Sequence, residues 1–289
     1  MSADGDVRRE ACTYRTVGEV PLEARLFLPA GDQAPRAAIA YFHPGSWRAG
    51  GPALIHELRH LASRGMVAAA FGYRLLPDRR RKSATRVGYA RRFDAATSIR
   101  DCVADAQAAI RWLRRRADVD VTRVVAAGYS SGAHLAAATA LLPAVEPGRA
   151  SCRPNALVLY GGVFDVRDAA ELSPLRHVRP KAPPGLVLCG IRDPLAAGNR
   201  QFAQAMIDAG NRCDLAEFPG GHNTFASRFD NPVLTRSLAR VDEFLVSLDY
   251  LDAVPDVVQR IADLATTLTT ATGKQARSNA QPASRAPSR

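Results

Sequence analysis

Apolar residues in this chain come in short unbroken runs, separated by longer stretches in which apolar positions recur every three or four residues. The runs AAIAYFH (37–43), MVAAAFGY (66–73), RVVAAG (123–128), NALVLYG (155–161), GLVLCG (185–190) and RCDLAEF (212–218) have the length of strands. The stretches 52–64, 94–117, 194–210 and 233–248 have helical periodicity, and a further helix is expected to begin near Gly132. Continuous apolar strands alternating with helices predict a mostly parallel sheet covered on both faces, with right-handed crossovers. Two strand-like runs come earlier, ACTYRTV (11–17) and LEARLFL (22–28), and predict an antiparallel N-terminal pair. Residues 1–251 therefore read as a single α/β domain with no internal linker or repeat. Beyond it, Val254, Val257, Val258, Ile261, Leu264 and Leu268 recur at helical spacing. They predict an extra amphipathic helix over 252–271, packed on this domain or on a partner. Residues 272–289, rich in Ser, Ala, Pro and Gln, read as a disordered basic tail.

In such a sheet the loops at the carboxyl ends of the strands gather on one side, and sites form there. The segment Gly128-Tyr129-Ser130-Ser131-Gly132 fits G-x-S-x-G between a strand and a helix. Small flanking residues allow a strained turn that exposes Ser130 as a nucleophile and turns the Ser131 N–H toward an oxyanion. A tight turn with a helix N-cap is the plainer reading of the same residues. A second loop, His43-Pro44-Gly45-Ser46-Trp47, follows the strand AAIAYF. A tetrahedral intermediate needs fixed donors, each worth about 2.7–4 kcal/mol of barrier. Pro44 has no N–H, so Gly45 and Ser46 would donate, with Ser131 as the third; an ordinary Pro-Gly turn is the alternative. Asp193, in Gly190-Ile191-Arg192-Asp193-Pro194, stands where a helix begins and could simply cap it. His222 lies beside glycines in Pro219-Gly220-Gly221-His222-Asn223 rather than on an apolar helix face. A serine nucleophile needs a base, and the base needs an acid to hold its tautomer. The order Ser130, Asp193, His222 is the one expected of an α/β-hydrolase. Asp165 in YGGVFDV is the rival acid, one strand earlier. Ser131 rivals Ser130, but only Ser130 has glycines at −2 and +2. His134 falls on the new helix and reads as structural, and His56, His60 and His177 have no constellation around them.

The segments FHPGSW (42–47), LASRGMVAAAFGYRL (61–75), CVADAQAAIRWLR (102–114), AGYSSGAHLAA (127–137), LSPLRHV (172–178), GIRD (190–193) and GGHNTF (220–225) carry a family resemblance. From about Ala37 to Leu248 the chain resembles α/β-hydrolase esterases and lipases with an HGGG-type loop, near their acetyl-esterase-like members. The resemblance implies Ser130 as nucleophile, His222 as base and Asp193 as acid. It also implies that His43 supports the oxyanion loop and is not the base. HPGS stands where the family has HGGG, which predicts a stiffer loop, a side chain from Ser46 near the acyl pocket, and small acyl groups.

Composition narrows the picture. With 47% apolar and 23% charged residues the chain reads as an ordinary soluble protein. None of its apolar stretches approaches the roughly 20 residues that span a bilayer. The polar start MSADGDVRREACTYR is unlike a secretory signal, and five scattered cysteines without a CxxC pair fit reduced thiols in a cytoplasm. No metal site is expected. The net charge of +11 is concentrated: residues 78–92 carry +6 and residues 271–289 carry +4. The domain itself is thus close to neutral, and RNA-binding aromatic signatures and zinc-finger spacing are both missing, so a nucleic-acid partner is not expected. Segment 78–92 reads as a solvated loop, with field focusing toward an anionic substrate as the other reading. The expectation is a cytoplasmic serine carboxylesterase for a small-molecule, small-acyl ester, with a sugar or a secondary metabolite as the alcohol. It would work through an acyl-enzyme without cofactor or membrane partner, with a homo-oligomer left open. An arylformamidase-like amide hydrolase, or a catalytically idle binding module on the same fold, is the alternative. Loops 46–53, 77–100 and 162–180, which would shape the pocket, carry no readable pattern.

Overall fold

The computed structural model describes residues 7–31, 35–52, 56–77, 96–146, 151–226 and 231–263. The strands in chain order are β1 (Arg8–Val17), β2 (Val20–Leu28), β3 (Arg36–Phe42), β4 (Val67–Phe71), β5 (Val119–Tyr129), β6 (Ala156–Tyr160), β7 (Gly185–Gly190) and β8 (Cys213–Phe218). They form one eight-stranded sheet in the spatial order β1-β2-β4-β3-β5-β6-β7-β8. From β4 onward every neighbour is parallel. The antiparallel part is larger than an isolated hairpin, since β2 pairs antiparallel with β4 as well as with β1. Helices α1 (His56–Ser63), α2 (Ile99–Arg114), α3 (Ser131–Leu141), α4 (Ala196–Asp208) and α5 (Pro232–Val246) connect them.

The continuous apolar runs are explained by what covers the sheet. Successive side chains of a strand point to opposite faces. In β3, Ala38, Ala40 and Phe42 join the core built with Ile110 of α2, Leu135 of α3 and Phe202 of α4. Ile39 and Tyr41 join the opposite core, with Leu58 and Leu61 of α1 and Phe244 of α5. Both faces are dry, so neither can be polar. At the edge, β8 alternates between half-buried and exposed residues after buried Cys213, because a helix layer covers less of it. All residues of α3 are buried, as a helix apolar on every side must be.

Some boundaries differ from the sequence pattern. Helix α2 starts at Ile99 because Ser98 builds a capping box with Asp101: Ser98 Oγ accepts the Asp101 N–H while the Asp101 carboxylate accepts the Ser98 N–H. Residues 53–55, at the expected start of helix α1, lie outside the described residues. After α5, residues 257–263 are helical (α6), and fully buried Ile261 packs on Leu234, Leu238 and Ala239. Leu264, Leu268, the tail 272–289 and the basic segment 78–92 lie outside the described residues. Among those described, no helix is long and apolar enough to cross a membrane.

Candidate active site

Ser130 stands between the end of β5 and the start of α3 with φ 55° and ψ −119°. For a residue with a Cβ, such a conformation costs about 1–3 kcal/mol and persists only where the surroundings enforce it. Here they do. A Cβ on Gly128 would stand 2.3 Å from the Gly132 carbonyl oxygen, and one on Gly132 would stand 2.0 Å from that of Phe42. Only glycines let β5, α3 and β3 approach so closely. The Ser130 N–H donates to the Tyr160 carbonyl at 2.8 Å, which fixes the turn to β6.

The loops after β7 and β8 bring two further side chains to Ser130. His222 Nε2 lies 3.0 Å from Ser130 Oγ, and His222 Nδ1 lies 2.8 Å from Asp193 Oδ2. A carboxylate only accepts, so Nδ1 carries the proton and Nε2 is left to accept from the serine hydroxyl. The Asp193 side chain is fully buried, and its other oxygen accepts the Leu195 N–H at 2.8 Å. It therefore holds the turn that leads into α4 and orients the histidine at once. Burial without these partners would be costly for a charged group.

The loop after β3 is the second strained element. Gly45, Ser46 and Trp47 are consecutive residues at φ 127°, 53° and 59°. The Gly45 carbonyl accepts the N–H groups of Arg48 and Ala49 at 2.9 and 3.0 Å. Among the described residues, the N–H groups of Gly45, Ser46 and Ser131 donate to no protein acceptor. His43 stacks on Tyr73 with ring centroids 4.2 Å apart. The Tyr73 hydroxyl donates to the His43 carbonyl at 2.8 Å, and His43 Nδ1 bonds the Pro44 carbonyl at 2.8 Å. His43 thus shapes this loop.

The other candidates lie elsewhere. Asp165 is exposed and pairs with Arg176 at 3.3 Å. His60 binds Asp242 at 2.9 Å in a buried pair, and His177 bonds the Glu171 carbonyl. The side chain of His56 lies outside the described residues. Several neighbours had no recognised role in the sequence. The Tyr129 hydroxyl donates to the His222 carbonyl, and its ring lies 5.3 Å from the imidazole. Burial and the Asp193 charge push this phenol up, so it remains a donor at neutral pH. Gly161 (φ 47°) leaves room where a Cβ would come within 3.0 Å of Asp193 Oδ2. The amide of fully buried Asn199 grips both sides of Gly162, accepting its N–H at 2.9 Å and donating to its carbonyl at 3.1 Å. The diglycine after β6 was the available signal for that corner; the variable position in G-x-S-x-G offered none for Tyr129.

Residues 25–154, which include both strained turns, match the BD-FAE family model. The chain is 32% identical to esterase LipQ of Mycobacterium tuberculosis over 161 residues, 43% of this chain and 38% of that protein's length. Among solved structures, butyrate-bound esterase 2 of the planctomycete Thermogutta terrifontis aligns with a TM-score of 0.74 at 32% identity, over 85% of this chain and 96% of that one. The chain belongs to the α/β-hydrolase esterase/lipase family of serine ester hydrolases. The mostly parallel sheet with its antiparallel N-terminal strands is this α/β-hydrolase's version of the fold. The Thermogutta esterase phosphorylated by paraoxon aligns equally well, with a TM-score of 0.74 at 33% identity.

Proposed function

We propose that this α/β-hydrolase is a serine carboxylesterase for small-acyl, acetyl-like esters, with Ser130 as nucleophile, His222 as base and Asp193 as the acid that orients it. The reading is carried by the unbroken chain from Ser130 Oγ through His222 to buried Asp193, at 3.0 and 2.8 Å. Ser130 Oγ attacks the ester carbonyl carbon and passes its proton to His222 Nε2. The carbonyl oxygen becomes an oxyanion that accepts from the N–H groups of Gly45, Ser46 and Ser131. Collapse breaks the ester C–O bond, and the imidazolium returns its proton to the leaving alkoxide. Water, deprotonated by His222, then attacks the acyl-enzyme and releases the acid and Ser130. The small-acyl clause is supported by the Ser46 side chain in the donor loop and by butyrate in the Thermogutta esterase. The free thiols of all five cysteines fit a reducing cytoplasm, which belongs to the same proposal.

The test is p-nitrophenyl acetate hydrolysis by the wild type and by Ser130→Ala at matched concentration and pH. Turnover by the wild type, with a loss of about three orders of magnitude or more in the variant, is expected. Paraoxon should inactivate the wild type with one equivalent bound. A wild type at background rate sinks the esterase reading and brings formamide substrates forward. Faster turnover of octanoate than of acetate to butyrate esters would remove the small-acyl clause alone.

A further inference from the structure

His134 lies one turn into α3, and its backbone N–H donates to the Ser130 carbonyl at 3.2 Å. Its side chain is fully buried, and both partners of the imidazole have fixed character. The Trp47 indole N–H, 3.3 Å from Nδ1, can only donate. The Leu172 carbonyl, 2.9 Å from Nε2, can only accept. The tautomer follows: Nδ1 is bare and Nε2 carries the proton. Protonating Nδ1 would set two N–H groups against each other. Burial also favours the neutral ring, holding its pKa down at about 4. The two rings meet edge to face with centroids 5.1 Å apart.

The partners make this contact significant. Trp47 is the second of two consecutive non-glycine residues at positive φ. A bulky residue held there needs an anchor. Its carbonyl accepts the Leu76 N–H at 2.8 Å, and its indole is held by His134. Gly45 and Ser46, the loop's unpaired donors, immediately precede it. Leu172 ends a single 3₁₀ turn (Ala170–Leu172) between β6 and β7. The next residue, buried Ser173, accepts the Val166 N–H at 2.8 Å. One imidazole therefore joins the nucleophile helix, the donor loop and the β6–β7 segment.

We propose that His134 is a positioning residue. Through the Trp47 indole it holds the Gly45 and Ser46 amides in register with Ser130, and through Leu172 it locks the β6–β7 segment to the same frame. The inference rests on the esterase reading, because the register of those amides matters only if an oxyanion forms between them. Donors aligned to the transition state act on kcat and leave KM nearly unchanged. Removing such a donor outright lowers kcat by about 10²–10³-fold, and loosening the loop that carries two of them should cost a fraction of that.

Trp47→Phe keeps an aromatic ring and removes the N–H. With p-nitrophenyl acetate its kcat should fall about tenfold, with KM within about threefold and an unshifted pH midpoint of kcat/KM. A purely structural defect would lower the melting temperature and the titratable serine, which fluorophosphonate labelling counts; both should stay at wild-type values. His134→Asn, which keeps an acceptor near the Nδ1 position, should retain more kcat than His134→Leu. Adding Trp47→Phe to His134→Leu should cost little more, because the shared contact is already gone. The proposal is overturned if Trp47→Phe stays within twofold of wild-type kcat, or if the two substitutions multiply independently. Should His134→Leu fail to fold, Trp47→Phe decides alone. A wild type that turns over no ester sinks the esterase reading instead, a result distinct from either.

Discussion

Two turns beside the site hold non-glycine residues at positive φ, and they are held by different means. Around Ser130 backbone presses on backbone: Gly128 against Gly132, and Gly132 against Phe42 of the central strand. In the loop 43–50 the backbone also closes on itself, Gly45 against Ala49, but side chains tie the loop to the elements around it, His43 on Tyr73 and Trp47 on His134. The first turn cannot relax unless the sheet does, because Phe42 is paired with Phe71 on one side and Gly128 on the other. The second can relax when one side chain changes. The position of Ser130, the proposed nucleophile, is thereby tied to the stability of the whole domain, whereas the proposed donor loop is adjustable. A strain shared with the core is safe from drift, and a strain carried by side chains is where activity can be tuned without unfolding.

The largest effect should come from breaking the first turn. In Gly132→Ala the new methyl stands 2.0 Å from the Phe42 oxygen and 2.7 Å from that of His43. Neither oxygen belongs to a flexible side chain. The expected loss is at least about 3 kcal/mol in urea unfolding, with fluorophosphonate labelling of Ser130 reduced to background. A variant that unfolds at the wild-type midpoint and still labels would erase the distinction drawn between the turns.

The same distinction explains what the sequence made legible. The nucleophile turn is written in residue types that backbone contact demands, so the glycines at 128 and 132 announced it together with the strand before and the helix after. Asp193 and His222 were readable for a related reason: each follows a strand in a short glycine-containing loop. The donor loop was readable only as a place. What holds it is distant in sequence, with His43 meeting Tyr73 and Trp47 meeting His134, and no local pattern encodes those meetings. His134 itself reads as a structural residue of an alanine-rich helix, which describes its burial but not its partners. Tyr129 was hidden because the position between the glycine and the serine accepts many residues, and its use depends on where the His222 carbonyl arrives. The helix start that shifted, at Ile99, moved because the Ser98–Asp101 capping box and not apolar periodicity sets where that helix begins.

An intermediate effect should follow from crowding the second turn. Gly50 has φ 98°, and a Cβ there would stand 2.5 Å from His43 Nδ1 and 2.6 Å from the Pro44 carbonyl oxygen. The His43 ring can give way only by leaving its stack on Tyr73. Gly50→Ala should therefore fold, lose about 1–2 kcal/mol, and lower kcat about tenfold through the displaced donors. Labelling of Ser130 should persist. If kcat survives while stability falls as expected, His43 does not set the donor geometry, and the loop depends on Trp47 alone.

The smallest effect on turnover should come from the layer below. Tyr41 and Tyr160, on strands that flank the site, lie near the buried carboxyl of Glu57 on α1. Burial raises that carboxyl from 4.5 to about 7. Between those pH values the folded chain keeps a proton that the unfolded chain has released, so stability falls as pH rises through the window and levels off above it. The full span corresponds to about 3 kcal/mol. Glu57→Gln cannot ionise and should flatten that slope, gaining stability over the wild type at pH 8 and little at pH 4.5 in parallel urea titrations. Because the nucleophile turn is enforced by contacts within the sheet, kcat at pH 8 should change less than twofold. A large change in kcat would show that the turn's geometry follows the charge state of the helix layer. The rigidity attributed to its backbone contacts would then extend no further than the sheet's upper edge.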